Sequence, residues 1–218
     1  MVMREIERVT ATHLTPSQMP ALALCLVAVG DCEIEVYNIG DCAVILRSCL
    51  APAFRIGSSA VEQFDKVVLG VFRDALSADA SYAEAAVLAK QQILINRRSA
   101  NTISGYWVVD PTDRWLDHVQ YHRMECAGGE ALLATDGFMR IFDVYFDVYN
   151  VANDYGDLFD HIADLGISGI IARIREIESS DPECRAFPRL KPADDASALW
   201  LRLGPNGASG FAKGAAIR

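Results

Sequence analysis

The chain has 218 residues, 51% hydrophobic and 22% charged, enough for one domain with a substantial core and inconsistent with a disordered chain. Its formal net charge of -9 disfavours phosphate backbones, so nucleic acid is not an expected partner, although the charge could serve solubility alone. No apolar run approaches the ~20 residues that cross a bilayer, and MVMREIERVTATH lacks the apolar stretch of a signal peptide, so a cytoplasmic protein with no membrane partner is expected.

Pro20–Val29 (PALALCLVAV) is predicted as a strand too apolar to alternate, lying between two covering layers. Gly30-Asp31 turns the chain into Cys32–Tyr37, where Ile34 and Val36 alternate with Glu33 and Glu35 as in a strand with one wet face. Asn38–Asp41 is a second turn and Cys42–Arg47 a third strand. Tight turns between three strands imply an antiparallel meander, because parallel pairing needs long crossovers.

Helices occupy the middle. Val61–Ala75 carries Phe64, Val67, Val68, Val71 and Phe72 at helical spacing, and Ser81 is placed to cap a helix over Tyr82–Arg98. Gly105–Val109 and Asp117–His122 read as strands, and Glu130–Thr135 as a further strand running into Asp136. A helical pattern then continues through Asp143. Leu158–Leu165 and Ile167–Glu178 are helical as well, the latter with Ile170, Ile171, Ile174 and Ile177 on one face. Ser179–Pro192 is a polar loop and Ala196–Leu203 the last strand. Residues 204–218, small and glycine-rich, read as a flexible tail behind a single domain over 1–203. Strands, blocks of helices and strands again give an α+β fold.

Six cysteines (Cys25, Cys32, Cys42, Cys49, Cys126, Cys184) form no CxxC pair and no compact zinc spacing, and reduced thiols are expected. Two stretches stand out. In EALLATDGFMRIFD an apolar strand meets Asp136-Gly137 and then a helix; in KPADDASALWLRL, Asp194-Asp195 precede another apolar strand. Each carries a carboxylate at a strand end, where it can leave the sheet to meet a cation. Each also has a plainer reading: Asp136-Gly137 as a turn and helix cap, Asp194-Asp195 as a solvated loop. Asp41 fits a structural turn better than a catalytic role.

The order YNIGDCAVIL, LLATDGFMRIFD, DDASALWLRL, over roughly Ala21 to Leu203, resembles metal-dependent serine/threonine phosphatases of type 2C, and RRSANTISGYWVVDP resembles a divergent bacterial branch. The resemblance implies an antiparallel β-sandwich flanked by helices on both faces. It further implies Mn²⁺ or Mg²⁺ as cofactor, a metal-activated water, and a phosphoserine or phosphothreonine protein as substrate in signalling. By motif, Asp136 and Asp194 match metal ligands. Asp195 stands where asparagine is commoner, Gly137 completes the aspartate-glycine pair, and Gly40-Asp41 matches a turn that shapes the strands without binding metal. Such phosphatases carry an upstream acidic residue and a first aspartate-glycine motif that bridge two cations, and nothing in Met1–Pro20 resembles that segment. The chain therefore reads as truncated at its N-terminus (a fragment, a mis-started frame or a degenerate relative), with half a metal site. One weakly held ion and little catalysis are expected of it, and a non-catalytic phosphatase-like interaction module in signalling is the rival reading. A sandwich lacking its first strands is also expected to bare a sheet edge, through which it could form a homodimer or aggregate.

The remaining candidates are plainer. His118 and His122 lie four apart with no acid to complete a zinc site. Arg97 and Arg98 suit a helix C-terminus and could alternatively reach a phosphate. Tyr106 and Trp107 read as core, and Phe142, Tyr145, Phe146 and Tyr149 as a core or partner-facing aromatic cluster. No Walker loop and no nucleophile elbow occur.

Overall fold

The computed structural model describes residues 21–30, 33–48, 51–125, 128–145, 154–204 and 212–217. These form strands β1 (Leu24–Val29), β2 (Glu33–Ile39), β3 (Ala43–Ser48) and β4 (Ala51–Ile56), helices α1 (Ser59–Ser77) and α2 (Tyr82–Arg97), then β5 (Gln120–Glu125) and β6 (Gly129–Ala134). Helices α3 (Asp136–Asp143) and α4 (Tyr155–Ser180) and strands β7 (Ala196–Leu203) and β8 (Ala212–Ile217) follow. All pairing is antiparallel, in two sheets of order β1-β2-β5 and β4-β3-β6-β7-β8. The fold is α+β, and among the described residues no helix is long and apolar enough to cross a membrane.

The strand β2 alternates as expected, with Ile34 and Val36 fully buried. They share a buried cluster with Val44 and Leu46 of β3, Ile56 of β4 and Ala131 of β6, so side chains of both sheets pack together there. The opposite face of the five-stranded sheet is covered by helix. Ile45, Leu132, Ala198 and Trp200 pack with Phe138 and Ile141 of α3 and with the isoleucine face of α4. Arg47 ties that helix down, bonding Glu130 on the neighbouring strand and Asp160 on α4 while its guanidinium lies over Phe159. Helices α1 and α2 pack on each other through Phe72, Val68, Ala85 and Ala89, with Cys184 from the loop after α4.

Several expectations need correction. β1 does alternate: Cys25, Val27 and Val29 face the core, while Leu24 and Leu26 are 45% and 55% exposed. Among the described residues it is an edge strand, and none of them covers its outer face. The turn at Gly40-Asp41 does not close a third meander strand. It steps the chain from the first sheet into the second, which is why β3 is buried on both faces while β2 has a wet one. Gly40 has φ +88, and a Cβ there would stand 2.6 Å from that of Ala23, so glycine is required at the step.

The strand β4 carries Pro52 and lies at a sheet edge, where proline is tolerated. Gly105–Val109 is not a strand but a turn-rich loop held by two isolated bridges, Ala100 with Tyr106 and Leu22 with Val109. Asp117–His122 divides into a 3₁₀ turn, Leu116–His118, and the start of β5. Ala212–Ile217, expected within a flexible tail, pairs with β7 as β8.

Other expectations hold. Ser81 caps α2 in a full capping box with Glu84. The two expected helices meet inside α4 at Gly166, whose φ of 69° and ψ of 164° break the helical run between them. Tyr145 is buried against Phe187 and Phe142 stacks on Tyr155, whereas Phe146 and Tyr149 lie outside the described residues.

Candidate functional site

The two singled-out motifs meet. Asp136 opens α3 at the end of β6, and the Asp194-Asp195 turn opens β7, which pairs with β6 along its length. Gly137 explains how close they come: a Cβ there would stand 2.2 Å from the carbonyl oxygen of Asp195 and 3.3 Å from the Cβ of Asp194. Only glycine lets the turn lie on the first turn of the helix. Thr135 stitches the same junction, its N–H donating to Ser197 O at 3.0 Å and its hydroxyl accepting from Ser197 N at 3.0 Å.

The electrostatics of the two carboxylates differ. Asp136 keeps an exposed face, yet its pKa is raised, first by the crowding of protein atoms and then by Asp194 and Asp41. The Gly137 N–H and Lys191 offset this in part. Asp194 is half-buried, and it is compensated. Its Oδ2 accepts from Arg140 at 3.1 Å, and its Oδ1 accepts from Lys191 at 2.6 Å and from the Asp195 N–H at 3.0 Å. Arg140 also donates to Glu178 at 2.7 Å, and Arg175 bonds both Glu178 and the carbonyl of Asp194. Asp195 and Asp41 are exposed.

Sequence reasoning missed Asp65. This α1 carboxyl is pushed up to about 6 by desolvation first, then by Asp41, Asp136 and Glu62. Solvent still reaches one side of it. A signal for it existed: Val61, Asp65, Val68 and Phe72 are spaced as one helical stripe, and the other three are buried. The same acids reach Cys42, whose thiol is pushed up to about 11 by burial, then Asp41, then Asp136. Arg140 was also missed, although a lone arginine within GFMRIF signals a buried partner.

Other candidates lie elsewhere. His118 stacks on Trp107 with ring centroids 3.4 Å apart, while His122 points from β5, so the two do not converge. Tyr106 is half-buried against Phe64. Cys25, Cys42 and Cys184 carry free thiols, and Cys32, Cys49 and Cys126 fall outside the described residues.

Among the described residues no group of three or more His, Cys, Asp and Glu side chains is close enough to hold a metal ion. Asp194 has its oxygens engaged by Arg140, Lys191 and a backbone N–H, which leaves Asp136 the less compensated of the two motif carboxylates. One hydrated Mg²⁺ or Mn²⁺ fits that donor, since such ions commonly take one or two carboxylates and keep several waters. A bridged pair of dications about 3.5–4 Å apart does not fit these residues. No protein-family model, no curated protein and no solved structure matches the chain.

Proposed function

We propose that the chain is a type 2C-like phosphoprotein phosphatase domain, acting on phosphoserine or phosphothreonine at the acidic edge around Asp136 in cytoplasmic signalling. In this reading the two sheets are the layers of a sandwich, and the helices are its outer covering. One observation carries the proposal: the close approach at Gly137 brings two motifs 58 residues apart into a single edge, where the Asp136 carboxylate is offset only in part, by the Gly137 N–H and Lys191. A divalent ion bound there would supply a polarised water and neutralise charge on the phosphate. The chain's own part is to present Asp136 at a rigid strand–helix junction and to hold Asp194 behind it.

Because the described donors suit one ion, turnover by this chain should be slow and dependent on Mn²⁺. Hydrolysis of p-nitrophenyl phosphate and of a phosphothreonine peptide, followed with Mn²⁺ and with EDTA, tests it. Asp136→Asn should abolish the Mn²⁺-dependent rate, and an unchanged rate would remove Asp136 from the reaction.

A second reading, a non-catalytic phosphatase-like module that binds a signalling partner, is favoured by the Arg140–Asp194–Lys191 contacts. There two protein cations already occupy the carboxylate that would serve the metal. Calorimetry separates the two: no heat of Mn²⁺ binding up to about 1 mM, well above the range of sensor-type sites, would favour the non-catalytic module.

A further inference from the structure

The open edge of β1 borders an apolar groove. Gly30 N donates to Glu33 O at 2.8 Å, and the register Val29 to Ile34 continues to Leu24 with Ile39. In an antiparallel ladder this parity turns the N–H and C=O groups of even-numbered β1 residues toward β2. Those of Cys25, Val27 and Val29 therefore point out of the sheet, and no described strand pairs with them. The sequence LCLVAV has no charge and no proline, the usual devices that blunt an edge.

The floor beside this edge belongs to the other sheet. β7 and β8 extend that sheet beyond β6. Leu133 and Leu199, cross-strand partners on β6 and β7, line a cavity of about 570 Å³ together with Leu24, Cys25, Cys42 and Thr135. Leu199 is 36% exposed although Leu201 and Leu203, on the same face, pack into the inter-sheet core. Among the described residues, these apolar side chains on the core-facing side of the sheet have no strand above them. The groove is polar only at the end near Thr135 and Ser197, next to Asp136. Asp41 and Asp136, both exposed, act on Cys42 in its wall and push its thiol up, so that end carries negative charge.

We propose that this groove is a strand-accepting site for an extended partner segment with apolar residues at alternate positions and a basic residue at its C-terminal end. The segment adds antiparallel to β1, bonding Cys25, Val27 and Val29 through its backbone, in the β-augmentation mode. Its apolar side chains, of period two, cover Leu133 and Leu199. Running antiparallel to β1, it ends beside Leu24, where a lysine or arginine meets Asp41 and Asp136. A second copy fits less well. Pairing two β1 edges across a two-fold axis would bring the overhanging β7–β8 strips of both copies, each about 10 Å wide, beneath one joined edge.

The test uses the full chain and a fluorescein-labelled peptide of about ten residues, alternating valine and threonine and ending in lysine. Anisotropy is measured in EDTA, so the result is independent of any cation chemistry at Asp136. Saturable binding is expected. It should weaken about tenfold or more when the edge-facing amides of the peptide are N-methylated, a change that leaves the protein intact. Val27→Pro should weaken it similarly, since it removes an outward donor but no bond to β2. Exchange of the peptide's lysine for glutamate should weaken it further. Absence of saturable binding up to about 1 mM peptide, well above micromolar peptide affinities, or equal binding of the N-methylated peptide, would overturn the proposal. A stable dimer in sedimentation that Val27→Pro abolishes would assign the edge to a second copy and overturn it too.

Discussion

Arg140→Met removes the cation that lies between two buried carboxylates. The Arg140 side chain is 10% exposed, that of Glu178 3% and that of Asp194 10%, so water can replace little of what is lost. Breaking a buried pair by deleting one partner costs roughly 3–5 kcal/mol when the other charge is left alone. Here neither acid is left alone: Glu178 keeps Arg175, and Asp194 keeps Lys191 and the Asp195 N–H. The expected loss is therefore about 2–4 kcal/mol, a large share of the roughly 5–15 kcal/mol of a typical domain. For a chain of this length the melting temperature should fall about 2–4 °C per kcal/mol.

Urea unfolding followed by tryptophan fluorescence gives the free energy, provided the slope is unchanged. The double variant Arg140→Met, Glu178→Met supplies the second leg. Apolar replacement of both partners also removes the carboxylate that the single change leaves with Arg175 as its remaining cation, so it should be more stable than Arg140→Met alone. A single-variant loss under about 0.5 kcal/mol, the usual range for an exposed site, would mean that the arginine is hydrated and the reasoning fails. A double variant weaker than the sum of the two single losses would refute the orphaned-charge explanation specifically.

Gly137→Ala should be severe, because the new Cβ would stand 2.2 Å from Asp195 O, a backbone atom that cannot swing away. A loss of roughly 2–3 kcal/mol, in the range of steric overpacking, is expected in the same unfolding assay, together with weakened Mn²⁺ binding. Asp65→Asn should stabilise. A folded pKa raised from 3.8 to about 6 means that the folded state binds the extra proton, so stability falls as pH rises through that window and the penalty is full above it. Unscreened, the rise would equal about 3 kcal/mol; solvent contact reduces this to about 1 kcal/mol. The gain in melting temperature should appear at pH 7.5 and vanish near pH 4, and a gain independent of pH would refute the assignment. Lys191→Ala removes an exposed cation at 2.6 Å from Asp194. On the metal reading, Mn²⁺ affinity measured by calorimetry should rise about three- to tenfold, equivalent to about 1 kcal/mol of repulsion removed.

What could be read in the sequence was local. Alternation in Glu33–Tyr37 gives a half-wet strand, Ser81 with Glu84 caps a helix, and the glycine at 166 marks a break, each set by residues within one turn or one strand of each other. The strand-to-helix junction at Asp136 belongs to the same class. What could not be read depends on distant partners. The turn at Gly40 looks the same whether it closes a hairpin or steps between sheets. The choice is made by what surrounds Ala43–Leu46: β4 and β6 pairing with it on either side, α4 over one face and β2 over the other. The clearest instance is Asp194, which as a sequence feature is one acid of a pair before a strand. Its chemistry is decided by Arg140, 54 positions earlier on another helix, and by Arg175 on a third element. A motif can thus fix where a carboxylate stands while leaving open whether its charge is available. At this edge the availability divides unevenly, with Asp194 compensated by two side-chain cations and Asp136 only in part, by the Gly137 N–H and Lys191. On the proposed metal reading, that asymmetry is why these residues suit one cation rather than a bridged pair.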